Sequence, residues 1–356
     1  TYIERTFGST TNRRTFTYSV WVKRGADNAE HNILSAGNFS GNPYLDARFN
    51  ANGTIEWYHY TTGYQFRLTT NRQFRDVSGW YHLVFATDTT QSTSANRCKL
   101  YVNGVQETSF SNETYPSQDY DLAVNYSGYK TSFGSLRTNA TFDGSMSHAH
   151  FIDGTAYDAT AFGEYDANGV WTINTSPSVT YGTNGFFILK DGNSVTDQSG
   201  NSNNFTVAGG TLTNTEDSPS NVFATWNPLE PELSYKGTYS NGNTTVATTV
   251  TGGTSLRGSI AIPYTGKWYW ENKVVSTSGT IADNSRIGIA TGDSVTVGSN
   301  VRYMSNAQKT VDASASSYGA TYGAGDIISV AVDSDNNTVE FFKNGVSQGS
   351  ISYTMD

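Results

Sequence analysis

Cys98-Lys99-Leu100-Tyr101-Val102-Asn103-Gly104-Val105 decides the fold class. Cys98, Leu100 and Val102 fall at every second position, the period of a strand with one face buried. Asn103-Gly104 then supplies two residues that tolerate positive φ, which a type I′ hairpin turn requires. A similar unit, Phe341-Phe342-Lys343-Asn344-Gly345-Val346, stands near the other end of the chain. One echo is not a repeat array, so the pair reads as two β-sandwiches solving the same turn in the same way.

The neighbouring segments agree. Phe16, Tyr18, Val20 and Val22 share one face of an alternating run. Residues 55–60 lead through Thr61-Thr62-Gly63 into 64–68, a second hairpin, and residues 80–86 read as a central strand apolar on both faces. A strand over 142–152 ends at Asp153-Gly154, and a single helical turn is expected around 158–162. Residues 163–233 are looser and hold four of the 7 prolines, which block sheet pairing. Strands return over 266–274, 286–290, 326–333 and 339–343. The expected domains are a jelly roll over 1–165, a connector packed on it over 166–231, and a second sandwich over 232–356.

Composition points the same way. The chain has 356 residues, only 15% of them charged, with 7 Trp, 23 Tyr, 18 Phe and 35 Gly. A disordered chain is poor in aromatics, and a helical bundle is built from Ala, Leu, Glu, Lys and Arg. Neither describes this sequence, which is all-β. Net charge is −9, and residues 131–356 carry 10 basic against 20 acidic side chains. Nucleic acid binding needs clustered Lys and Arg, so it is not expected, nor is attraction to anionic membranes. No apolar run reaches the roughly 20 residues of a membrane span. The single Cys98 cannot close a disulfide within the chain, which fits assembly in a reducing cytoplasm.

Residues from about 10 to 165 resemble the laminin G-like, concanavalin A-like jelly-roll family. The resemblance rests on 16–23, on Gly79-Trp80-Tyr81-His82-Leu83-Val84-Phe85, on the Tyr101-Val102-Asn103-Gly104 hairpin and on 142–148. Residues from about 232 to 356 resemble a SPRY domain through Gly266-Lys267-Trp268-Tyr269-Trp270-Glu271, Ile287-Gly288-Ile289-Ala290 and Gly325-Asp326-Ile327-Ile328 with the Asn344-Gly345 hairpin. SPRY domains usually continue past that hairpin, so the resemblance implies a last domain unfinished at Asp356, in a longer polypeptide. The fold expected is tandem β-sandwiches, a concanavalin A-like jelly roll plus a SPRY-like sandwich.

The connector, with Phe151-Ile152-Asp153-Gly154, Gly169-Val170-Trp171 and Phe223-Ala224-Thr225-Trp226-Asn227-Pro228, resembles one found in virion proteins of marine tailed phages. That resemblance implies a virion surface protein, a tail-fibre or adhesin segment binding host surface glycan or protein. The alternative is a capsid or tail decoration protein contacting other virion proteins. It also implies a homo-oligomer, a trimer by family analogy, located in the virion and assembled in the host cytoplasm.

Catalytic motifs are sparse. A jelly-roll glycosidase needs two carboxylates flanking the scissile bond. The nearest approach, Glu164-Tyr165-Asp166, lacks a second Glu and lies in a turn-like stretch, so a polysaccharide-degrading enzyme is a lesser alternative and no enzyme is expected. His148 and His150, two apart on a strand, share a face but lack a third zinc ligand. Calcium is the better metal candidate, with oxygen ligands from Asp191, Asn193, Asp197 and Asn201, and Asn203 beside them. The plain alternative is that these residues only make turns.

Sugar recognition needs flat aromatic faces and polar side chains for hydroxyls. Trp57, Tyr58, His59, Tyr60 and Tyr64 form the densest such cluster. Alternation sets Trp57 with Ile55 and His59 on one face, and Tyr58 with Tyr60 on the other. Cross-strand packing is the competing role. In the last domain, the SPRY resemblance implies a peptide or glycan surface made by loops, here the connections carrying Arg302, Tyr303, Tyr318 and Tyr322.

Overall fold

The computed structural model describes residues 1–26, 29–135, 140–190, 192, 194–229, 237–248, 256–276, 285–290, 300–312 and 314–354. The chain divides into two units, the first holding 1–229 with 238–247. Two antiparallel sheets form its body. The larger runs in the order β10 (Phe110–Thr114), β6 (Tyr64–Gln73), β5 (Thr54–Tyr60), β4 (Tyr44–Phe49), β3 (His31–Gly37), β11 (Lys130–Phe133), β1 (Tyr2–Thr6) and β16 (Thr206–Gly209). The smaller runs β15 (Phe186–Ile188), β12 (Gly144–Asp153), β2 (Thr15–Arg24), β7 (Tyr81–Asp88), β8 (Cys98–Val102) and β9 (Val105–Gln106). This is a concanavalin A-like sandwich, all-β as the alternation requires.

Alternation carries one face of each sheet inward. Phe16, Tyr18, Val20 and Val22 of β2 meet Ile55 and Trp57 of β5 and Phe133 of β11 in one fully buried cluster. Trp57 packs edge-on against Phe66 and Phe85, with ring centroids 5.0 and 5.3 Å apart. The turn after β8 has Asn103 at φ 48° and Gly104 at φ 82°. A β-carbon on Gly104 would also run into the Trp171 ring, so glycine is required there twice over.

The outward face of the smaller sheet is covered. The short hairpin of β13 (Gly163–Tyr165) and β14 (Trp171–Ile173) lies over it. Trp21, His82 and Trp171 stack with centroids 4.8 and 5.9 Å apart. Trp171 Nε1 donates to His82 Nδ1 at 3.1 Å, and His82 Nε2 meets Ser19 Oγ at 2.8 Å. Further along, the fully buried Lys23 ammonium donates to Asp217 Oδ2 at 2.8 Å and to Thr225 Oγ1 at 3.2 Å. Trp80 Nε1 adds a second donor to Asp217 Oδ2 at 3.2 Å, and Phe223 N donates to Oδ1 at 2.9 Å. Val84 and Ile152, outward on their strands, pack against Ala159 and Phe162. The apolar second face of residues 80–86 is thereby explained, because a third layer covers it. The helical turn expected near 158–162 is a 3-10 turn, Ala159–Ala161, with the Asp158 side chain accepting from Thr160 N.

The hairpin β17 (Thr238–Ser240) and β18 (Thr245–Ala247) belongs to the first unit, where Asn243 O accepts from Trp226 N at 2.9 Å. Among the described residues, the second unit has two four-stranded antiparallel sheets. One is β19 (Lys267–Lys273), β24 (Ile327–Asp333), β25 (Thr338–Lys343) and β26 (Val346–Ser352). The other is β20 (Arg286–Ala290), β21 (Asn300–Met304), β22 (Asn306–Val311) and β23 (Ser314–Thr321). Both contribute to one core containing Ile289, Val301, Tyr303, Ile328, Val330 and Phe341. Among the described residues no helix is long and apolar enough to cross a membrane.

Candidate functional site

With one outer face of the first unit covered, the outer face of the larger sheet becomes the informative one. Register fixes what it carries. Tyr44, Asp46 and Arg48 of β4 pair with Tyr60, Tyr58 and Glu56 of β5, and the intervening Leu45, Ala47 and Phe49 point into the core. β6 adds Arg67 opposite Tyr58 and Thr69 opposite Glu56. A register shift between His59 and Tyr60 brings Tyr64 opposite Tyr60, an irregularity of the kind that re-aims side chains beside sites.

Four tyrosines thus meet on one surface. Tyr44 stacks on Tyr60 at 5.5 Å, and Tyr64 stands edge-on to Tyr58 and Tyr60 at 5.4 and 5.3 Å. Tyr64 is 45% exposed, Tyr44 and Tyr60 are half-buried, and Tyr58 is buried beneath them. The Tyr58 hydroxyl donates to Asp46 Oδ2 at 3.1 Å. Burial, with the Asp46 carboxylate beside it, pushes the Tyr58 phenol far above its ordinary range, so it stays a neutral donor.

A charged floor fixes the rings. Buried Glu56 accepts from Arg48 Nη2 at 2.6 Å and from Arg67 Nε at 2.6 Å, and each guanidinium lies over a tyrosine, Arg48 at 5.5 Å from Tyr58 and Arg67 at 4.6 Å from Tyr64. Planar guanidinium groups suit this double task of pairing and stacking. The charges on this surface balance locally, and the exposed material is aromatic ring and hydroxyl. Such a surface offers flat apolar contact with hydrogen-bonding groups at its rim.

Of the residues expected to bind, Tyr58, Tyr60 and Tyr64 come together here. Trp57 does not, because its side chain is fully buried between the sheets and presents no face outward. Tyr44 was not anticipated, since it sits 14 positions from Tyr58 and only cross-strand register joins them.

The surface expected in the second unit is also corrected. Tyr303, Tyr318 and Tyr322 are buried, and they cluster around Tyr303 with Phe341 at 4.9 to 6.1 Å. Their hydroxyls donate to Ala320 O, Gly349 O and Ser285 O. Tyr303 lies on β21, Tyr318 on β23 and Tyr322 directly after β23, and all three are buried, so these tyrosines are core and not loop contacts. Arg302, half-buried on β21 between Gly288 and Thr310, alternates away from Tyr303.

Among the metal candidates, Asp191 and Asn193 lie outside the described residues. Asp197 Oδ1 accepts from Phe187 N and Ser199 N, and Oδ2 from Ser199 Oγ and Asn203 N, all at 2.8 to 2.9 Å. Asn201 donates to Gly182 O and Gly185 O. These groups hold the chain's own turns. His150 lies between Phe187 at 4.0 Å and Phe162 at 5.2 Å with Nδ1 on the Tyr181 hydroxyl, and His148 occupies a bulge at φ 47°. Among the described residues no three His, Cys, Asp or Glu side chains are placed to hold a metal ion. Asp166 accepts from Asn168 N and Val170 N, which holds its carboxyl below the usual range, and Glu164 is exposed beside it.

Residues 1–161 match the laminin G family described as the concanavalin A-like lectin/glucanases superfamily. No curated protein matches the sequence. Among solved structures, a SAP-like pentraxin from Limulus polyphemus is similar at 12% identity and TM-score 0.30, covering 44% of this chain and 77% of that one. Domain 4 of the extracellular arabinanase AbnA from Geobacillus stearothermophilus, in complex with arabinotriose, is similar at 15% identity and TM-score 0.33, covering 42% of this chain and 64% of that one. Domains LG4-5 of mouse laminin α1 are similar at 9% identity and TM-score 0.33, covering 99% of this chain and 75% of that one. All three likenesses are distant.

Proposed function

We propose that this protein is a non-enzymatic binding module whose four-tyrosine surface on the larger sheet takes a glycan. The observation that carries the reading is the meeting of Tyr44, Tyr58, Tyr60 and Tyr64 over the Asp46, Arg48 and Glu56 floor. Ring faces complement the apolar side of a pyranose, while the hydroxyls of the more exposed tyrosines suit its hydroxyl groups. The match of residues 1–161 to a lectin-containing superfamily supports a binding role. Glu56 engages two guanidiniums and Asp46 a phenol, which favours positioning over acid–base work by these carboxylates.

The finer reading is a virion surface protein of a tailed phage, a tail-fibre or adhesin segment that meets host surface glycan, with a SPRY-like second unit and trimeric assembly. It rests on the sequence resemblance. Capsid or tail decoration, contacting other virion proteins, is the second reading on the same ground. Calcium on the Asp197 loop remains part of the proposal, and calorimetric titration of the whole chain with calcium chloride checks it.

The test is affinity electrophoresis through gels containing neutral polysaccharides, with a double Tyr60→Ala, Tyr64→Ala variant as comparison. The native chain is expected to be retarded by at least one polymer, and the variant about tenfold less strongly, the loss of roughly 1.4 kcal/mol of contact. Equal retardation of both proteins, with circular dichroism unchanged, removes the tyrosine surface from the reading. Release of new reducing ends would revive the enzyme alternative.

A further inference from the structure

Strand register extends the tyrosine surface well beyond the tyrosines. On the same outer face, one row of paired residues crosses the sheet as Tyr64, Tyr60, Tyr44, Gly37, Lys130 and Thr6. The row beside it runs Arg67, Tyr58, Asp46, Ser35, Ser132, Glu4 and Thr206, and its middle members Asp46, Ser35 and Ser132 are fully buried beneath the surface. Five strand-to-strand steps of about 4.8 Å make the first row roughly 24 Å long. Glycine at 37 leaves a position with no side chain between the Tyr44 ring and Lys130. A β-carbon there would meet Pro43 O at 2.5 Å, Tyr44 Cα at 2.7 Å and Ala123 Cβ at 3.2 Å, so no side chain can stand there and neighbouring atoms fill its place.

Beyond that position lies a groove of about 330 Å³ lined by Glu4, Gly37, Ser40, Lys130, Ser132 and Ala208. Lys130 Nζ donates to Glu4 Oε1 at 2.7 Å, so the groove is electrically paired. Two buried polar atoms, one in the groove wall and one on β3 outside its lining, have no hydrogen-bond partner among the described residues. They are Ser135 Oγ, in the groove wall on a residue 1% exposed, and Nδ2 of fully buried Asn32, whose oxygen holds Ser35 Oγ. Buried polar groups are nearly always satisfied, and an unsatisfied one beside a groove points to a bound hydroxyl or water.

We infer that the ligand is a linear, uncharged polysaccharide lying across the strands, anchored on the tyrosines and continuing over Gly37 into the Lys130–Glu4 groove. The inference rests on the glycan reading above and adds the form of the ligand. Its length follows from the rows, its direction from the register, and its neutrality from the balance of charge, Arg48 and Arg67 against Glu56 and Asp46, and Lys130 against Glu4. Arg67 and Arg48 meet Glu56, Asp46 faces Tyr58, and Lys130 meets Glu4.

The experiment uses the whole chain and oligomers of two and six units from β-1,3-glucan, β-1,4-glucan, β-1,4-mannan and β-1,4-xylan, with polygalacturonate as the acidic comparison. Affinities are measured by calorimetry for the native chain, for Ala208→Trp and for Lys130→Ala. Ala208 is exposed on the edge strand, so a larger side chain there fills the groove without entering the core. The native protein is expected to bind a six-unit neutral oligomer at least tenfold more tightly than the two-unit one. Both variants are expected to lose about tenfold for six units and nothing for two. Variants that follow the native chain at both lengths overturn the inference while the tyrosine surface stands. Equal native affinity for two and six units, or preference for polygalacturonate, overturns it as well. Should no neutral oligomer bind and the Tyr60, Tyr64 variant match the native chain, the glycan reading falls and the inference with it.

Discussion

At the scale of the residue, Trp57 and Tyr58 are neighbours with opposite duties. Alternation in Ile55-Glu56-Trp57-Tyr58-His59-Tyr60 correctly groups Trp57 with Ile55 and His59, yet it carries no sign of which group faces the core. Aromatic residues suit both duties, which is why Tyr303, Tyr318 and Tyr322 also read as binding residues while lying in a core. Tyr44 was illegible for another reason, since only its pairing with Tyr60 reveals its place. Replacing Trp57 by Ala is expected to cost about 3–5 kcal/mol in urea unfolding, as deletion of a large buried ring does. Tyr64→Ala, at a position 45% exposed, should cost less than about 1 kcal/mol. A Trp57 variant as stable as the native chain would contradict its place in the core.

At the scale of the element, β7 shows what patterning can and cannot convey. Its outward Val84 and Ala86 announce that something covers them, and the sequence of the looser stretch never says what. The cover is fastened by Lys23 on β2 and Asp217 in that stretch, with the carboxylate also taking Trp80 Nε1. An ion pair this deeply buried is costly to break from one side, because the remaining charge has no water. Lys23→Met is therefore expected to lower stability by about 3–5 kcal/mol, and Lys23→Met with Asp217→Leu to recover most of it. Chemical denaturation of the three proteins measures this. A double variant no better than the single one would mean that the pair acts through geometry and not through charge.

At the scale of the molecule, all five histidines belong to the first unit. Burial drives His59 and His82 down to about 3, and it lowers His31 and His150 as well. These rings stay neutral when folded, whereas the unfolded chain takes up protons below about pH 6.5. Stability of the first unit should accordingly fall as pH drops from about 6.5 toward 3, each deeply buried histidine contributing up to about 1.4 kcal/mol per pH unit. The second unit has no such group. Hydrogen exchange read separately at β5 and β24 is expected to show protection lost first in β5 on acidification. Parallel loss in both strands would contradict the assignment to histidine. The same unit has a temporal side. Lys23 emerges from a ribosome 194 residues before Asp217, an interval of about 10–40 s at common synthesis rates of roughly 5–20 residues per second. For that time the future partner of the ammonium does not exist, and the nascent sheet must keep Lys23 wet. Closure of this buried pair thus waits for Asp217, whatever order the earlier strands take.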